Sequence, residues 1–238
     1  MNKTLEQPPP QLSIVVPVYN EAATVGQVVK TLQATLSNYT LEILLVDDGS
    51  TDGTTEEIRN LQQPSHVRSF FHSVNQGKGA ALRTAFGQAR GQVVIIQDAD
   101  LEYDPQDIPK LVQLILDNKA DVVYGSRFRG ESQRVHLFWH RVANGLLTLC
   151  SNMLSNLNLT DMETGYKAFS NEVIEKLTIR ENRFGVEPEL TAKVAKLRCR
   201  VYEVPISYYG RDYSEGKKIG FRDAIRAAWC ILRYRIAN

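Results

Sequence analysis

Two aspartates separated by one residue follow an apolar stretch near the middle of the chain. Residues 92–97 (QVVIIQ) are typical of a buried strand, and Asp98 and Asp100 come directly after them, with Glu102 two residues further on. Carboxylate oxygens are the ligands that hard divalent cations prefer, and such a cation can bind substrate phosphates at the same time. The spacing therefore predicts a Mg²⁺ or Mn²⁺ site. The competing interpretation is that the aspartates only cap the helix that starts near Asp107.

Other polar clusters follow predicted strands in the same way. They lie at residues 17–21 (PVYNE), 47–50 (DDGS) and 125–127 (GSR). The carboxyl ends of parallel strands meet at one edge of a sheet, so these clusters and the aspartates should converge in one crevice. We predict the active site there.

A glycine-containing loop at residues 75–79 (NQGKG) opens a predicted helix. Exposed amides at a helix N-terminus bind phosphate, and Lys78 would add a point charge. The loop lacks the spacing and the Ser or Thr of a P-loop, which disfavours a P-loop kinase or GTPase.

The elements that must position these residues are short strands alternating with helices. Apolar strands are predicted at residues 12–16, 41–46, 67–71, 92–97 and 121–125. Helices are predicted at residues 25–36, 51–61, 78–89, 135–157 and 187–195, followed by a strand at 200–207 and a last helix from 221. This alternation predicts an α/β fold with a mostly parallel central sheet flanked by helices.

The composition is that of an ordinary globular protein. The 238 residues are 43% hydrophobic and 23% charged, and the net charge of +1 gives no general attraction to nucleic acid. We expect a flexible tail at residues 1–10 and a single domain at residues 11–238. The three widely spaced cysteines favour a reducing, cytoplasmic location, and we expect neither a signal peptide nor a transmembrane span.

Six motifs together resemble glycosyltransferase family 2 and, within it, the polyprenyl-phosphate hexose synthases, the group that includes dolichyl-phosphate mannose synthase. The motifs are residues 15–21 (VVPVYNE), 46–54 (VDDGSTDGT), 75–85 (NQGKGAALRTA), 97–105 (QDADLEYDP), 125–128 (GSRF) and 161–169 (DMETGYKAF). The resemblance spans most of the chain. It implies a GT-A fold, which is a Rossmann-like nucleotide-diphospho-sugar transferase fold, and a nucleotide-sugar donor, either GDP-mannose or a UDP-hexose.

The resemblance also implies roles for individual residues. The metal would be held by Asp98, Asp100 and Glu102, although some relatives have Gln at the position of Glu102. The nucleoside would be held by Pro17, Tyr19, Glu21 and Asp48, with Lys78 near the donor phosphates. Arg127, Arg141 and Arg211 match positions where the synthases hold acceptor or donor phosphate.

The acceptor chemistry needs cations more than a base. A phosphate monoester is already anionic at neutral pH, so it can attack the anomeric carbon once cations bring it to the anionic donor. We predict transfer of mannose or glucose to a polyprenyl (dolichyl or undecaprenyl) phosphate, with inversion at the anomeric carbon as the family resemblance implies. Asp100, Arg127 and Arg141 would be the catalytic residues. Arg211 and Lys217, on a charged loop, would help to bind substrate, although Lys217 is equally well explained as a surface charge.

Two other functions stay open. A sugar hydroxyl as the acceptor, in polysaccharide or glycolipid synthesis, would require a carboxylate base such as Glu163, Glu187 or Glu189. A catalytically silent nucleotide-sugar-binding protein would keep the donor site without turnover. His136 and His140 lie one helical turn apart, but without a third ligand they do not favour a zinc site.

The last helix, at about residues 219–238, is amphipathic and basic. Four arginines oppose a stripe of apolar residues, which is typical of a helix that lies on an anionic membrane surface. The alternative is that the apolar stripe simply packs on the domain. We therefore expect a cytoplasmic protein, which contacts the cytoplasmic membrane face peripherally under the first of these two interpretations.

Overall fold

Seven strands form one mixed sheet in the computed structural model, which describes residues 8–61, 65–129, 138–210 and 221–236, with side chains from residue 224 in the last range. The strands are β1 (Leu12–Val18), β2 (Leu41–Asp47), β3 (Val67–Phe71), β4 (Val93–Ile96), β5 (Val122–Ser126), β6 (Lys167–Ser170) and β7 (Val201–Pro205). Their order across the sheet is β3-β2-β1-β4-β6-β5-β7. All neighbouring pairs are parallel except those of β6, which runs antiparallel to both β4 and β5.

Helices cover both faces of the sheet. They are α1 (Val25–Thr35), α2 (Thr54–Leu61), α3 (Lys78–Phe86), α4 (Ile108–Leu116), α5 (Phe138–Ser155), α6 (Asn171–Lys176), α7 (Val186–Lys196) and α8 (Phe221–Ile236). Successive strand residues point to opposite faces, so Ile14 and Val16 join the core that contains α1, α2 and α4. Val15 joins the core on the other side, which contains α3, α6, α7 and α8.

The predicted alternation of strands and helices is confirmed, with shifts at the element ends. α2 begins at Thr54 rather than at residue 51, because Thr51–Gly53 form the turn that caps it. Strand β1 continues through Pro17 to Val18, since Pro17 lies beyond the last residue that pairs with β4, which is Val15. Most of the tail expected at residues 1–10 lies outside the described residues, so that assignment stays a prediction.

The sequence pattern predicts neither the short helix α6 nor strand β6, and β6 matters more for the site. Strand β6 is four residues long and lies between β4 and β5, with Ile95 opposite Ala168 and Tyr124 opposite Lys167. An antiparallel strand brings its amino end to the edge where its parallel neighbours have their carboxyl ends. The segment before β6 is therefore carried to the predicted active-site edge.

The two helices α5 and α8 pack against each other and against α7. α8 covers most of the region where the sequence predicts an amphipathic helix. Among the helices in the described ranges, none combines the length and the apolar character needed to cross a bilayer.

Candidate active site at the carboxyl edge of the sheet

Asp98 and Lys78 form the centre of the site. Asp98 lies just beyond β4, and its Oδ1 is 2.9 Å from Nζ of Lys78, the first residue of α3. The same Nζ lies 3.3 Å from Oε1 of Glu187 on α7. Burial alone would lower the pKa of Lys78, but the carboxylates of Asp98 and Glu187 outweigh it and raise this pKa well above its ordinary value. The site therefore holds a fixed positive charge beside Asp98.

Two glycines allow Lys78 to reach this position. Gly77 has a φ of +106°, and a Cβ there would collide with the backbone oxygen of Asn182. A Cβ on Gly79 would collide with the backbone oxygen of Glu181. The start of α3 can lie against the loop that contains Glu181 and Asn182 only because Gly77 and Gly79 lack side chains.

Asp48 holds the loop before α3 in place. Its Oδ1 lies 2.7 Å from Nδ1 of His72 and accepts a hydrogen bond from the amide of Gln76 at 3.1 Å. Its Oδ2 accepts one from the amide of Gly77 at 2.6 Å. The side chain is buried, and both oxygens have protein partners. These contacts position Lys78, whereas the expected contact of Asp48 with a nucleoside stays a prediction.

The loop after β1 is tied to the loop after β2. The amide of Asn20 donates to Oγ of Ser50, and the amide of Glu21 donates to Oγ1 of Thr54. Tyr19 is exposed at the rim, and Pro17 is the half-buried residue of an otherwise buried strand. These residues lie at the predicted edge, and their roles in binding a nucleoside stay predictions.

Arg127 and Asp161 form a buried bidentate ion pair. Nε of Arg127 lies 2.7 Å from Oδ2 of Asp161, and its Nη2 lies 2.8 Å from Oδ1. The backbone amide of Arg127 donates to the same carboxylate. Asp161 has no exposed area, and although burial opposes its charge, the guanidinium holds its pKa below the usual value. Arg127 is therefore held by Asp161 in this structure, and its expected contact with a substrate phosphate stays a prediction.

Arg141 has a different environment. It lies near the start of α5, is exposed, and places its guanidinium 4.5 Å from the centroid of the Phe128 ring. Phe128 follows Arg127, so Arg141 stands at the rim of the site. Arg211, Lys217 and His136 lie outside the described residues, and their assignments stay predictions.

A second group of buried charges lies beside Lys78. Burial, reinforced by Glu187, raises the pKa of Glu163 to about 8, and burial lowers the pKa of Lys167 to about 8 against the opposing effect of Glu187 and Glu163. Oε1 of Glu163 and Oε2 of Glu187 are buried without a hydrogen-bond partner among the described residues. Buried polar atoms normally have hydrogen-bond partners, so two unpartnered carboxylate oxygens close to Lys78 are unusual.

Glu189 differs from the other two candidate bases. Its Oε1 accepts from the amide of Arg180, its Oε2 accepts from the amide of Glu181, and Lys193 lies 2.6 Å from Oε1. Its carboxylate therefore orders the loop that supports α3. This geometry leaves Glu163 and Glu187 as the carboxylates suited to contact a substrate.

Asp98, Asp100 and Glu102, the residues expected to bind a metal, do not form a single cluster of three carboxylates. Oδ1 of Asp100 accepts from the amide of Glu102 at 3.1 Å, and Oε2 of Glu102 accepts from the hydroxyl of Tyr208 at 2.6 Å. Between them Leu101 has a φ of +61°, a strained backbone that is common at functional sites. Across the described ranges, no three His, Cys, Asp or Glu side chains converge on one point.

A cation bound through two carboxylates still fits this arrangement. A Cβ on Gly165 would collide with Oδ2 of Asp98, so the glycine makes room for that carboxylate. Mg²⁺ commonly uses one or two protein carboxylates and takes its other oxygens from water and substrate phosphates. Asp98 and Asp100 would supply that donor set, and their place as metal ligands, like that of Glu102, stays a prediction.

Several site residues are missing from the sequence-based assignment. Asp161 and Lys167 belong to the segment quoted for the family resemblance, but nothing in their spacing indicates an ion pair with Arg127 or a place beside Glu187. Tyr103 is a further example, since its hydroxyl accepts a hydrogen bond from the amide of Gly165 at 2.7 Å. Lys167 begins β6, and the segment before it carries Asp161 and Gly165 to the site, so recognising residues 167–170 as a strand is the signal that would have found these contacts.

A family model described as glycosyl transferase family 2 matches residues 13–178. A dolichol-phosphate mannosyltransferase of Pyrococcus furiosus is 27% identical over 213 residues, covering 88% of this chain and 60% of that protein. An undecaprenyl-phosphate mannosyltransferase of Micrococcus luteus is 29% identical over 217 residues, covering 87% of this chain and 86% of that protein. The chain thus spans only about three fifths of the length of the Pyrococcus relative.

The fold is also found among solved structures. Glucosyl-3-phosphoglycerate synthase of Mycobacterium tuberculosis, in a crystal with Mn²⁺, UDP-glucose and phosphoglyceric acid, has a TM-score of 0.73 and 22% identity to this chain. The match covers 96% of this chain and 81% of that one. At this level of identity the likeness concerns the fold, and it confirms the expected GT-A fold.

Proposed function

Because the chain belongs to glycosyl transferase family 2, we propose that it transfers a hexose from a nucleotide diphosphate sugar to a polyprenyl phosphate, with inversion at the anomeric carbon. The observation that carries the proposal is the meeting of Asp98, Lys78 and the Arg127–Asp161 pair at one edge of the sheet. Relatives named as polyprenyl-phosphate sugar transferases support the acceptor class.

The donor binds at the edge formed by the loops after β1, β2 and β4. Pro17, Tyr19 and Glu21 lie against the nucleoside, and the ammonium of Lys78 faces the diphosphate. Asp98 and Asp100 would hold a divalent cation, Mg²⁺ or Mn²⁺, which when bound would neutralise charge on the leaving diphosphate. Lys78 adds to this stabilisation from a fixed position.

The acceptor phosphate approaches from the side of Arg141. One of its oxygens forms the new bond to the anomeric carbon while the bond from that carbon to the diphosphate oxygen breaks. The attacking oxygen carries no proton at neutral pH, so no residue has to act as a base. Arg127, held by Asp161, keeps Phe128 and Arg141 at the rim, so that the phosphate meets the donor in the reactive orientation.

A second candidate uses the same donor site with a sugar hydroxyl as the acceptor. The buried, unpartnered oxygens of Glu163 and Glu187 favour it, because such a carboxylate can take the hydroxyl proton. The Glu163→Gln variant separates the two functions. Transfer to a phosphate acceptor continues in this variant, whereas transfer to a hydroxyl acceptor that uses Glu163 is abolished.

The direct test is transfer of labelled sugar from GDP-mannose and, separately, from UDP-glucose. Each donor is incubated with Mg²⁺ or Mn²⁺, with or without polyprenyl phosphate, and the organic-extractable label is counted. We expect label from one donor that depends on both the lipid and the metal. Label that appears without the lipid, or no label while metal-dependent nucleotide binding is intact, would contradict the proposal, and the second result would favour a silent binding protein.

A further inference from the structure

Helix α5 buries small polar side chains and exposes large apolar ones, which is the reverse of the usual arrangement. Its fully buried residues are the small polar Thr148 and Ser151, while Leu147 and Leu154 are partly buried against the core. Its exposed apolar side chains recur mostly every three or four residues and are Phe138, Trp139, Val142, Leu146, Leu149 and Met153. A surface helix normally turns such a stripe toward the core. An exposed stripe of this size is typical of an interaction surface.

Helix α8 adds a second exposed stripe beside the first. The exposed side chains are Ile225, Trp229, Leu232 and Ile236. The other side of α8 packs on the domain through the buried residues Ala227, Cys230, Ile231 and Tyr234. The exposed stripe is therefore not the side by which α8 packs. We call the exposed apolar residues of the two helices the α5–α8 face. Both tryptophans of the chain lie on it, Trp139 with 75% and Trp229 with 62% of its surface exposed.

The charge on the two helices is strongly positive. α5 contains no Asp or Glu and has Arg141, while α8 contains four arginines and one aspartate. Arg226 and Arg233 share one buried partner, Glu181, at 2.9 and 3.2 Å. One carboxylate cannot neutralise two arginines, and Arg141 and Arg235 add further charge. The apolar stripes are thus bordered by a positive rim.

We propose that the α5–α8 face docks on an anionic lipid bilayer, with both helices lying in the plane of the interface. Tryptophan favours the boundary between lipid tails and headgroups, and arginines beside an apolar stripe bind anionic headgroups. The face adjoins the active site, because Arg141 of α5 contacts Phe128 beside Arg127. Docking therefore brings the rim of the site to the membrane surface.

A second copy of the chain fits this face less well than lipid does. A twofold interface places the same patch on both partners, so the arginines of one rim would meet those of the other. An anionic bilayer supplies the opposite charge to the rim and an apolar layer to the stripes. The inference deepens the proposed function, since it names the surface through which a lipid acceptor is met, but docking itself needs neither donor nor acceptor.

Tryptophan fluorescence tests the proposal directly, since the chain has only two tryptophans and both lie on the face. The protein is titrated with vesicles of phosphatidylcholine containing phosphatidylglycerol and no polyprenyl phosphate, and separately with phosphatidylcholine alone. We expect a blue shift and co-flotation with the anionic vesicles only. Emission that does not change, with the protein left in the aqueous fraction, would overturn the proposal even if sugar transfer is observed.

Variants of the face show whether these residues make the contact. The double variant Leu146→Ser/Leu232→Ser keeps both tryptophans and removes two exposed side chains, so folding should be unaffected. We expect its partition onto anionic vesicles to fall at least about tenfold. Tyr202→Ser, which alters an exposed aromatic residue on β7, is the matched control and should bind normally. Equal binding by the double variant, or a lipid-free dimer that dissociates in it, would assign the face to another role.

Discussion

The carboxyl edge of the sheet and the α5–α8 face differ in which side chains they bury and which they expose. At the edge, charged groups are withdrawn from solvent and held by partners, as Lys78 is by Asp98 and Glu187, and Arg127 by Asp161. On the face, large apolar groups are left in solvent although small polar residues of α5 are buried.

This difference shows which environment each region is built to meet. Burying a charge is costly unless a partner compensates it, so a pre-arranged set of buried charges is suited to a highly charged ligand. Exposing a stripe of apolar side chains is equally unusual unless an apolar medium covers it. The edge suits a nucleotide diphosphate sugar, and the face suits the lipid that carries the acceptor.

The largest effect is expected when Asp100 is changed at the edge. Asp100→Asn removes charge from a donor set of two carboxylates, and we expect transfer to fall about 1,000-fold, because stabilisation of the leaving diphosphate is lost. The measurement is the rate of label transfer at saturating metal. Asp117→Asn, an exposed aspartate after α4, is the control and should be fully active. Full activity of Asp100→Asn in a folded protein would remove the metal assignment.

Arg127→Ala should affect stability rather than the chemistry alone. The substitution leaves the Asp161 carboxylate buried without its cation, and we expect a loss of about 3 kcal/mol in the free energy of unfolding. Urea denaturation measures it. Arg200 makes a similar pair with Asp121, but in solvent, so Arg200→Ala should cost much less stability than Arg127→Ala. If Arg127→Ala were as stable as the wild type yet inactive, Arg127 would be a substrate ligand rather than a positioning residue.

Arg141→Ala should show the reverse behaviour. Its guanidinium is exposed, so unfolding should be almost unchanged, while kcat/KM for polyprenyl phosphate should fall about tenfold with the loss of one charged contact. Arg59 on α2 also lies over a phenylalanine ring, that of Phe71, and Arg59→Ala is the matched control. An unchanged kcat/KM in Arg141→Ala would show that the acceptor phosphate approaches elsewhere.

Glu163 should make stability depend on pH. Burial and Glu187 raise its pKa from 4.5 to about 8, with Lys167 and Arg127 opposing them, so the folded protein binds more protons than the unfolded chain over this range. The contribution of Glu163 to stability should therefore fall as pH rises from about 4.5 to about 8 and level off above that.

The Glu163→Gln variant removes this titration. Relative to the wild type, we expect it to gain at least about 1 kcal/mol in the free energy of unfolding between pH 5 and pH 8, because one pKa unit corresponds to about 1.4 kcal/mol. Glu175→Gln, an exposed glutamate of α6, should show no such gain. Parallel stability curves for the wild type and Glu163→Gln would mean that Glu163 is charged throughout.

The sequence predicts the parallel part of the fold well and the partners within the site poorly. Buried strands followed by polar clusters at 17–21, 47–50 and 98–100 place those residues at one edge, because topology alone brings parallel strand ends together. The sequence does not predict β6, since four residues carry too little periodicity to identify a strand. Without β6, nothing in the sequence indicates that Asp161 lies beside Arg127, and the expected contact of Arg127 with a phosphate stays a prediction.

The most direct test compares two acceptors in the Leu146→Ser/Leu232→Ser variant. One acceptor is a long polyprenyl phosphate in anionic vesicles, and the other is a short, water-soluble prenyl phosphate. If the edge performs the transfer and the face only docks the protein, transfer to the vesicle-bound acceptor should fall about tenfold, while transfer to the soluble acceptor should match the wild type. An equal loss with both acceptors, or no loss with either, would contradict this division of roles between the two regions.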